Sequence, residues 1–226
     1  MRDPMPLLVA IFVLAIVAIA YASTRWELAV YALSFWHYLI YALAFLWRRI
    51  TLERFKRDSF LLRTISLAAL GFALWTTVPN TVSIVVILTG FALNVAAVWA
   101  LGTDRTYYGY ELAAIPGERI TSFPYSITAH PMLIGNMLAF GGALLDGEFR
   151  ELWWSLAILH VALNLGIILM EAYGGESRRS GSLAAIIGLG LGAILLLSGF
   201  WDTWPYTLAT IVAGSVFGMT LIRRYA

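Results

Sequence analysis

The stretch TVSIVVILTGFALNVAAVWAL, residues 81–101, contains no charged side chain. A transmembrane helix needs about 20 mainly apolar residues to cross the roughly 30 Å hydrocarbon core of a bilayer. Seven further apolar runs of similar character lie along the chain. They cover residues 6–22, 28–47, 60–78, 131–146, 152–171, 183–200 and 205–222. The sequence therefore predicts an all-α fold, a polytopic transmembrane bundle of about eight helices.

The composition agrees with a membrane protein. Of the 226 residues, 61% are hydrophobic and only 12% are charged, and the mean hydropathy is +0.81. A soluble domain carries about 25% charged residues. The chain has no cysteine, which excludes disulfides, thiolate catalysis and cysteine-based metal centres. The three histidines, His37, His130 and His160, are too dispersed for a zinc signature, so we expect no metal site.

The positions of the basic residues predict an orientation. With the N-terminus inside, only Arg25 and Arg150 of the 15 basic residues fall in outside segments. This distribution follows the positive-inside rule. Because Lys56 is the single lysine among so many arginines, we expect a bacterial source with a GC-rich genome. The predicted location is then the bacterial inner membrane, with the inside segments facing the cytoplasm; an endoplasmic-reticulum membrane is the alternative.

The polar segments divide the chain unevenly between the two sides. The longest ones, 48–59, 102–130 and 172–182, all fall on the predicted inside face. We interpret residues 1–226 as a single membrane domain, with N-terminal helices in 1–80, a core in 81–180 and a C-terminal helical hairpin in 181–226. A transporter needs access from both sides, so this asymmetry disfavours one.

Two pairs of glycines lie in the last two predicted spans. They are Gly188 with Gly192, and Gly214 with Gly218. Small residues four apart let helix backbones approach each other closely in lipid. We therefore interpret both pairs as packing surfaces. A nucleotide-binding loop at 188–192 is disfavoured, because no strand precedes it.

The most informative polar segment ends at the fifth predicted span. Pro131 suits the first turn of a helix, which places His130 at the helix N-terminus on the inside face. Free N–H groups and a partial positive charge allow such an N-terminus to hold a carboxylate. Gly135, one turn further on, leaves room for a ligand or another helix. The alternative is a plain helix start with a capping histidine.

An acidic residue ends the sixth predicted span. Glu171 shares a helical face with His160 and Asn164, since steps of 4 and 11 residues return to nearly the same direction. We interpret His160 and Asn164 as interhelical hydrogen-bonding residues deep in the membrane. An acid at the end of an apolar segment is costly, so Glu171 is a candidate functional residue. In the fourth span, Gly90 and Asn94 lie one turn apart, which fits helix packing or a cofactor cleft.

The chain resembles a known family in this region. The motifs are Thr106-Tyr-Tyr-Gly109, then Arg119-Ile-Thr-Ser-Phe-Pro-Tyr125, then Pro131-Met132 with Gly135. They resemble the phosphatidylethanolamine N-methyltransferase family over about residues 88–176. His130-Pro131 with Gly135 is also similar to the motif of the related isoprenylcysteine carboxyl methyltransferases. The resemblance implies an integral membrane enzyme that transfers a methyl group from S-adenosylmethionine to the amine of phosphatidylethanolamine, toward phosphatidylcholine.

The resemblance also implies a set of site residues. In the family, a Gly-x-Gly in the preceding helix and a Glu-Glu pair after the next helix bind S-adenosylmethionine. Here these motifs read Leu88-Thr89-Gly90 and Glu171-Ala172, so one member of each is kept. Arg105 and Leu133 also replace the usual Gly and Tyr. The expected cofactor-binding residues are Gly90, Tyr107, Tyr108, Gly109, Tyr125, His130, Pro131, Gly135 and Glu171.

The expected mechanism needs a base and a membrane substrate. His130 is the first candidate for accepting the proton of the lipid amine, and Glu171 is the second. The expected partner is a membrane phospholipid, with no nucleic acid and no metal. Two alternatives remain open. One is a related membrane methyltransferase with another acceptor, such as an isoprenylcysteine carboxylate, a small thiol or another lipid. The other is a non-enzymatic channel, transporter or scaffold, with Asn94, His160 and Glu171 lining a pathway.

Overall fold

The computed structural model describes residues 3–118, 120–173 and 200–226. This part of the chain is helical and contains no β-strand. The helices are α1 (Met5–Ser23), α2 (Trp26–Leu33), α3 (Trp36–Trp47), α4 (Leu52–Trp75), α5 (Thr81–Leu101), α6 (Thr103–Thr106), α7 (Pro131–Ala143), α8 (Gly147–Tyr173) and α9 (Trp204–Tyr225), the last preceded by a 3₁₀ turn, Phe200–Thr203. The predicted all-α fold is confirmed for these residues.

Six helical segments of the described chain are long and apolar enough to cross a membrane. They are α1, α2 with α3, α4, α5, α8 and α9. The protein is therefore an integral, multi-pass membrane protein. The predicted span at 131–146 forms a helix of only 13 residues, α7. At 1.5 Å per residue it is about 20 Å long, which is shorter than the bilayer core. The predicted span 183–200, with Gly188 and Gly192, lies outside the described residues.

The second predicted span, 28–47, is confirmed but broken in the middle. Ser34 and Phe35 separate α2 from α3. The hydroxyl of Ser66 on α4 donates to the carbonyl of Ser34, while Tyr38 N–H bonds the Phe35 carbonyl at 3.0 Å. A side chain that inserts into the backbone ladder in this way bends a helix. The break sets the direction of α3, which carries several of the site residues.

The third predicted span, 60–78, begins earlier in the structure. The helix α4 starts at Leu52, so its first two turns hold charged residues such as Glu53 and Lys56. The hydropathy pattern marks only the apolar part of a helix that extends into the interface. Because α4 begins early, Arg63 lies 11 residues after Leu52 rather than near the helix start, and it lines a cavity.

Helices α5 and α7 form the closest pair. A methyl group added to Gly90 would collide with the Gly135 carbonyl and lie 2.8 Å from the Ala139 nitrogen. The side chain of Asn94 donates to the carbonyl of Met132 at 3.1 Å. The start of α7 is therefore level with Asn94, about 10 Å before the end of α5. This recess leaves space between the start of α7 and the polar segment 107–130.

At one end of the bundle, two helix starts cap each other. The carboxylate of Asp146 accepts the N–H groups of Phe149 and Asn80, each at 3.0 Å. The side chain of Asn80 in turn accepts Ser83 N–H at 3.0 Å, which caps α5. The backbone hydrogen bonds, Phe149 N–H first, hold the pKa of Asp146 below its usual value although burial opposes this. These caps satisfy N–H groups that a helix start leaves free.

At the other end, charged side chains join the chain termini to α4. Arg224 contacts the carboxylate of Asp58 at 2.7 and 3.1 Å and that of Asp3 at 2.9 Å. Arg57 also contacts Asp3, and Asp58 is fully buried. Lys56 forms an ion pair with Asp104 at 2.5 Å, which brings α6 to the same end. The structure therefore places the N-terminus, the start of α4, α6 and the end of α9 on one side of the bundle.

The glycine pair of α9 packs within the same chain. Methyl groups added to Gly214 and Gly218 would lie 3.3 and 3.1 Å from the ring of Trp36. That ring also contacts Phe12 and Phe217. The predicted packing role of Gly214 and Gly218 is confirmed, and the partner is an aromatic ring rather than another glycine helix.

Candidate functional site

A cavity of about 700 Å³ lies among α3, α4, α5, α7 and α8 and beneath the segment 105–130. Its size is within the range of small-molecule and cofactor sites. Most of its polar lining comes from one side of the membrane domain, where the recessed start of α7 meets the end of α8. The cavity brings together side chains that are distant in the sequence.

Three of these side chains form a connected group around one carboxylate. Glu171, near the end of α8, lies 2.9 Å from the Nδ1 atom of His130 through its Oε2 atom. The hydroxyl of Tyr108 donates to the Oε1 atom of Glu171 at 2.6 Å. Both Glu171 and His130 keep a little more than a fifth of their side-chain surface exposed. The carboxylate is thus held by two partners but remains accessible from the cavity. We call Glu171, His130 and Tyr108 together the carboxylate cluster of the site.

A tight turn directs Tyr108 into this cluster. The backbone of Tyr108 has φ of +56°, which is uncommon for a residue other than glycine. The N–H of Gly109 bonds the carbonyl of Asp104 at 2.8 Å, and a methyl group on Gly109 would lie 2.6 Å from that oxygen. Gly109 is therefore required for close backbone contact within the turn. The resulting direction of Tyr108 places its ring against Phe55, Phe45 and Tyr41.

Burial and the carboxylate perturb the two tyrosines of the polar segment. Burial, followed by the charge and hydrogen bond of Glu171, holds the pKa of Tyr108 well above its usual value. Burial and the charge of Glu171 raise the pKa of Tyr125 to about 12. Both phenols therefore stay protonated at neutral pH. Tyr108 donates to Glu171, whereas the hydroxyl of Tyr125 has no hydrogen-bond partner among the described residues.

The start of α7 forms another polar part of the wall. Residues 129–133 line the cavity, and Pro131 occupies the first turn of α7. The first N–H groups of a helix have no partner within the helix. Ile134 N–H makes the first such bond, to the carbonyl of His130 at 3.0 Å. The N–H groups of Met132 and Leu133 precede it, so the wall offers donors and a partial positive charge next to His130.

A network of amides and rings extends from the cavity into the bundle. Asn94 donates to Asn136 at 2.9 Å, Asn136 donates to Asn164 at 3.1 Å, and Asn164 donates to Tyr38 at 2.8 Å. His160 lies 3.2 Å from the Tyr38 hydroxyl through Nδ1. The prediction that His160 and Asn164 form interhelical hydrogen bonds is confirmed. Because each amide needs several partners in an apolar surrounding, the network fixes the relative position of α3, α5, α7 and α8.

The structure brings some of the predicted residues to the cavity but not all. Those that line it are Tyr108, Tyr125, His130, Pro131 and Glu171. Gly90 and Gly135 instead contact each other between α5 and α7, Tyr107 packs on Tyr41 and Phe55, and Gly109 forms the tight turn. Direct contact of these four residues with S-adenosylmethionine stays a prediction. Arg119, part of the family motif, lies outside the described residues.

Part of the cavity wall consists of residues that the sequence motifs did not indicate. His37, Tyr41 and Arg63 line it but had not been identified as site residues. The signal was present in two apolar segments. His37 and Tyr41 lie one turn apart in a predicted span, and Arg63 is a charged residue within another. None of the three belongs to the family motifs, so only their polarity in an apolar segment indicated them.

The comparison with family models matches one segment of the chain. Residues 78–173 match the model described as phospholipid methyltransferase. This match, together with the membrane-spanning helices, supports a membrane methyltransferase of the phospholipid or isoprenylcysteine type, and members of that family generally use S-adenosylmethionine. The matched segment contains α5, α7, α8 and the carboxylate cluster, and the match agrees with the family that the motifs predicted. Searches of curated proteins and of solved structures found no match.

Proposed function

We propose that this protein transfers methyl groups from S-adenosylmethionine to the amine of phosphatidylethanolamine or its methylated derivatives, toward phosphatidylcholine. The observation that carries the proposal is the carboxylate cluster, which lines a cavity of about 700 Å³. All three residues of the cluster lie in the segment that matches the family model. The site lies toward the end of the bundle where most of the basic residues are predicted to lie. In a bacterial inner membrane this would be the cytoplasmic side, where the donor is made.

The residues present suit the donor. S-adenosylmethionine would supply an electrophilic methyl group on a sulfonium sulfur. The N–H groups of Met132 and Leu133, at the start of α7, would hold its carboxylate. Glu171 would accept hydrogen bonds from its ammonium or ribose groups, and Tyr108 and Tyr125 would present aromatic faces to the sulfonium.

The lipid amine must lose a proton before it can attack. If it titrates like lysine, deprotonation at pH 7 costs roughly 4 to 5 kcal/mol. A poorly hydrated cavity lowers this cost, since it disfavours the charged amine.

His130 is well placed to receive that proton. The Nδ1 atom of His130 lies 2.9 Å from the Glu171 carboxylate, so with Glu171 ionised a proton on Nδ1 would face it and Nε2 would be the proton acceptor. Glu171 would then select the tautomer of His130, as the aspartate does for the histidine of a Ser-His-Asp triad. Nε2 of His130 would take the amine proton and leave the nitrogen lone pair free to accept the methyl group, with the neutral thioether as the leaving group.

Transfer of label tests the proposal. Purified protein in vesicles of phosphatidylethanolamine is given methyl-labelled S-adenosylmethionine, and the lipids are separated by headgroup. We expect label in mono-, di- or trimethylated headgroups. Donor binding without labelled lipid would indicate another acceptor, such as an isoprenylcysteine carboxylate, a small thiol or another lipid. Absence of donor binding would overturn the methyltransferase assignment.

A further inference from the structure

Arg63 is a charged residue within an apolar span that lines the cavity. It lies 11 residues after the first residue of α4 and outside the family segment 78–173. A cation in such a position is costly, and it generally faces a bundle interior or a polar cavity and marks a binding site or pathway. The family motifs assign it no role.

The charge of Arg63 is not balanced by a carboxylate within residues 3–118, 120–173 and 200–226. Other cations near the cavity are paired: Arg105 with Glu118 at 2.5 Å, and Lys56 with Asp104 at 2.5 Å. Arg63 instead lies beside the hydroxyl of Tyr41, with His37 within its electrostatic reach. A phenol hydroxyl can hydrogen-bond a guanidinium but does not neutralise its charge.

The surface beside Arg63 is suited to a lipid. Phe60 and Leu67 lie one turn before and one turn after it on the same face of α4. Phe60 is 69% exposed and Leu67 is 50% exposed, so both face the surrounding hydrocarbon. Arg63 thus lies where the cavity meets the lipid-facing side of the helix.

We propose that Arg63 is the anion subsite of the cavity and that it binds the phosphodiester of the phospholipid acceptor. This choice of ligand rests on the proposed function. The planar guanidinium can make two parallel hydrogen bonds to phosphate oxygens. Glu171 lines the same cavity, so the walls present an anion and a cation to a headgroup that carries an ammonium and a phosphate. The acyl chains would stay in the bilayer alongside Phe60 and Leu67.

Direct lipid binding tests this inference without depending on activity. The full chain, purified in detergent, is titrated with phosphatidylethanolamine, phosphatidylglycerol or diacylglycerol, and bound lipid is counted by native mass spectrometry. We expect Arg63→Gln to weaken retention of both phospholipids by at least about tenfold, with diacylglycerol unaffected. Arg63→Lys keeps the charge without the planar fork, so retention should be intermediate. The matched control is Arg54→Gln, an exposed arginine on the same helix that does not line the cavity.

The affinity for S-adenosylmethionine, measured on the same samples, confirms folding and separates the sources of the anion. Unchanged donor affinity in Arg63→Gln, together with lost phospholipid, supports the phosphodiester subsite. Loss of S-adenosylmethionine affinity with phospholipid binding retained would assign Arg63 to the carboxylate of S-adenosylmethionine and overturn the inference. Phospholipid retention equal to that of Arg54→Gln would also overturn it.

If Arg63→Gln does not fold, glycerophosphoethanolamine should displace phosphatidylethanolamine from the wild-type protein and ethanolamine should not. Equal displacement by both would overturn the inference. Wild-type binding of phospholipid without methyl transfer would reject the proposed function but leave the subsite in place.

Discussion

At the scale of single residues, the site depends on how one carboxylate is shared. Glu171 accepts the hydroxyl of Tyr108 at 2.6 Å, and its other carboxylate oxygen lies 2.9 Å from His130 Nδ1. The two contacts come from the tight turn after α6 and from the start of α7, so one side chain of α8 connects both. Its remaining exposure leaves room for a ligand. Changes to this carboxylate cluster should therefore affect ligand binding more than folding.

Replacing Glu171 with Gln removes the charge and nearly preserves the shape. We expect the affinity for S-adenosylmethionine to fall by about tenfold or more, because a charge-assisted hydrogen bond is lost. Methyl transfer should fall by about a hundredfold, since His130 also loses the partner that fixes its tautomer. Donor titration and single-turnover transfer measure the two effects. Glu151→Gln, an exposed site on the same helix, is the control, and unchanged donor affinity in Glu171→Gln would remove the assigned role.

Replacing Tyr108 with Phe tests the second contact. The ring should remain packed against Phe55 and Phe45, while the hydrogen bond to Glu171 is lost. We expect transfer to fall by about tenfold and the free energy of unfolding by about 1 kcal/mol. Because burial holds the pKa of Tyr108 well above its usual value, wild-type activity should show no loss from ionisation of this phenol below about pH 10. Activity equal to wild type in Tyr108→Phe would show that the contact is dispensable.

At the scale of elements, the short helix α7 decides where the cavity lies. Its 13 residues are held against α5 by the contact between Gly90 and Gly135. Because α7 begins level with Asn94, the segment 107–130 can reach the bundle interior instead of ending at the surface. Gly90 and Gly135 thus affect the site indirectly, because their contact sets the position of α7 against α5.

Adding one methyl group at Gly90 should separate the two helices. In Gly90→Ala the new methyl group would meet backbone atoms of Gly135 and Ala139, which cannot move without shifting α7. We expect a loss of stability of about 1–3 kcal/mol and weaker donor binding. Thermal unfolding in detergent and donor titration measure these effects. Gly71→Ala is the matched control, because nothing lies within 4 Å of the added group; a similar loss there would contradict the packing argument.

At the scale of the whole molecule, a charged cluster of Asp3, Arg57, Asp58 and Arg224 joins both ends of the chain to α4. Arg224 bridges Asp58 and Asp3, and Asp58 is fully buried. Removing one partner of a buried pair leaves an uncompensated charge, which is far more costly than losing an exposed pair. The cluster holds α1 and α9 against the helix that carries Arg63.

We therefore expect Arg224→Gln to lower the free energy of unfolding by about 3 kcal/mol. The adjacent Arg223→Gln should have little effect, since Arg223 is exposed and makes no ion pair with a described carboxylate. Thermal unfolding in detergent compares the two variants. Equal unfolding temperatures would mean that the cluster does not stabilise the fold.

The predicted orientation can also be measured, because the chain has no cysteine. Ser122→Cys lies in the polar segment beneath which the cavity is found, and Glu148→Cys lies near the capped start of α8 at the opposite end. With the basic end inside, an impermeant maleimide should label Cys at 148 in intact cells and Cys at 122 only after lysis. The reverse pattern would place the site outside the cytoplasm.

The amino-acid pattern alone shows that this is a membrane protein. Long uncharged runs require a lipid surrounding, since too few polar side chains exist to cover a soluble globule of this size. Local motifs around Tyr108, Tyr125, His130 and Glu171 also indicated the family, because their spacing is contained within one short segment.

Only the tertiary structure decided which residues share the cavity. Hydropathy does not show that α7 is short and recessed, or that Gly90 and Gly135 are used for helix contact, because both depend on the approach of two backbones. It likewise does not bring Arg63 and Tyr41, on α4 and α3, to the family segment 78–173. Those positions follow from how separate helices pack, and a pattern read along one helix carries no information on its neighbour's register.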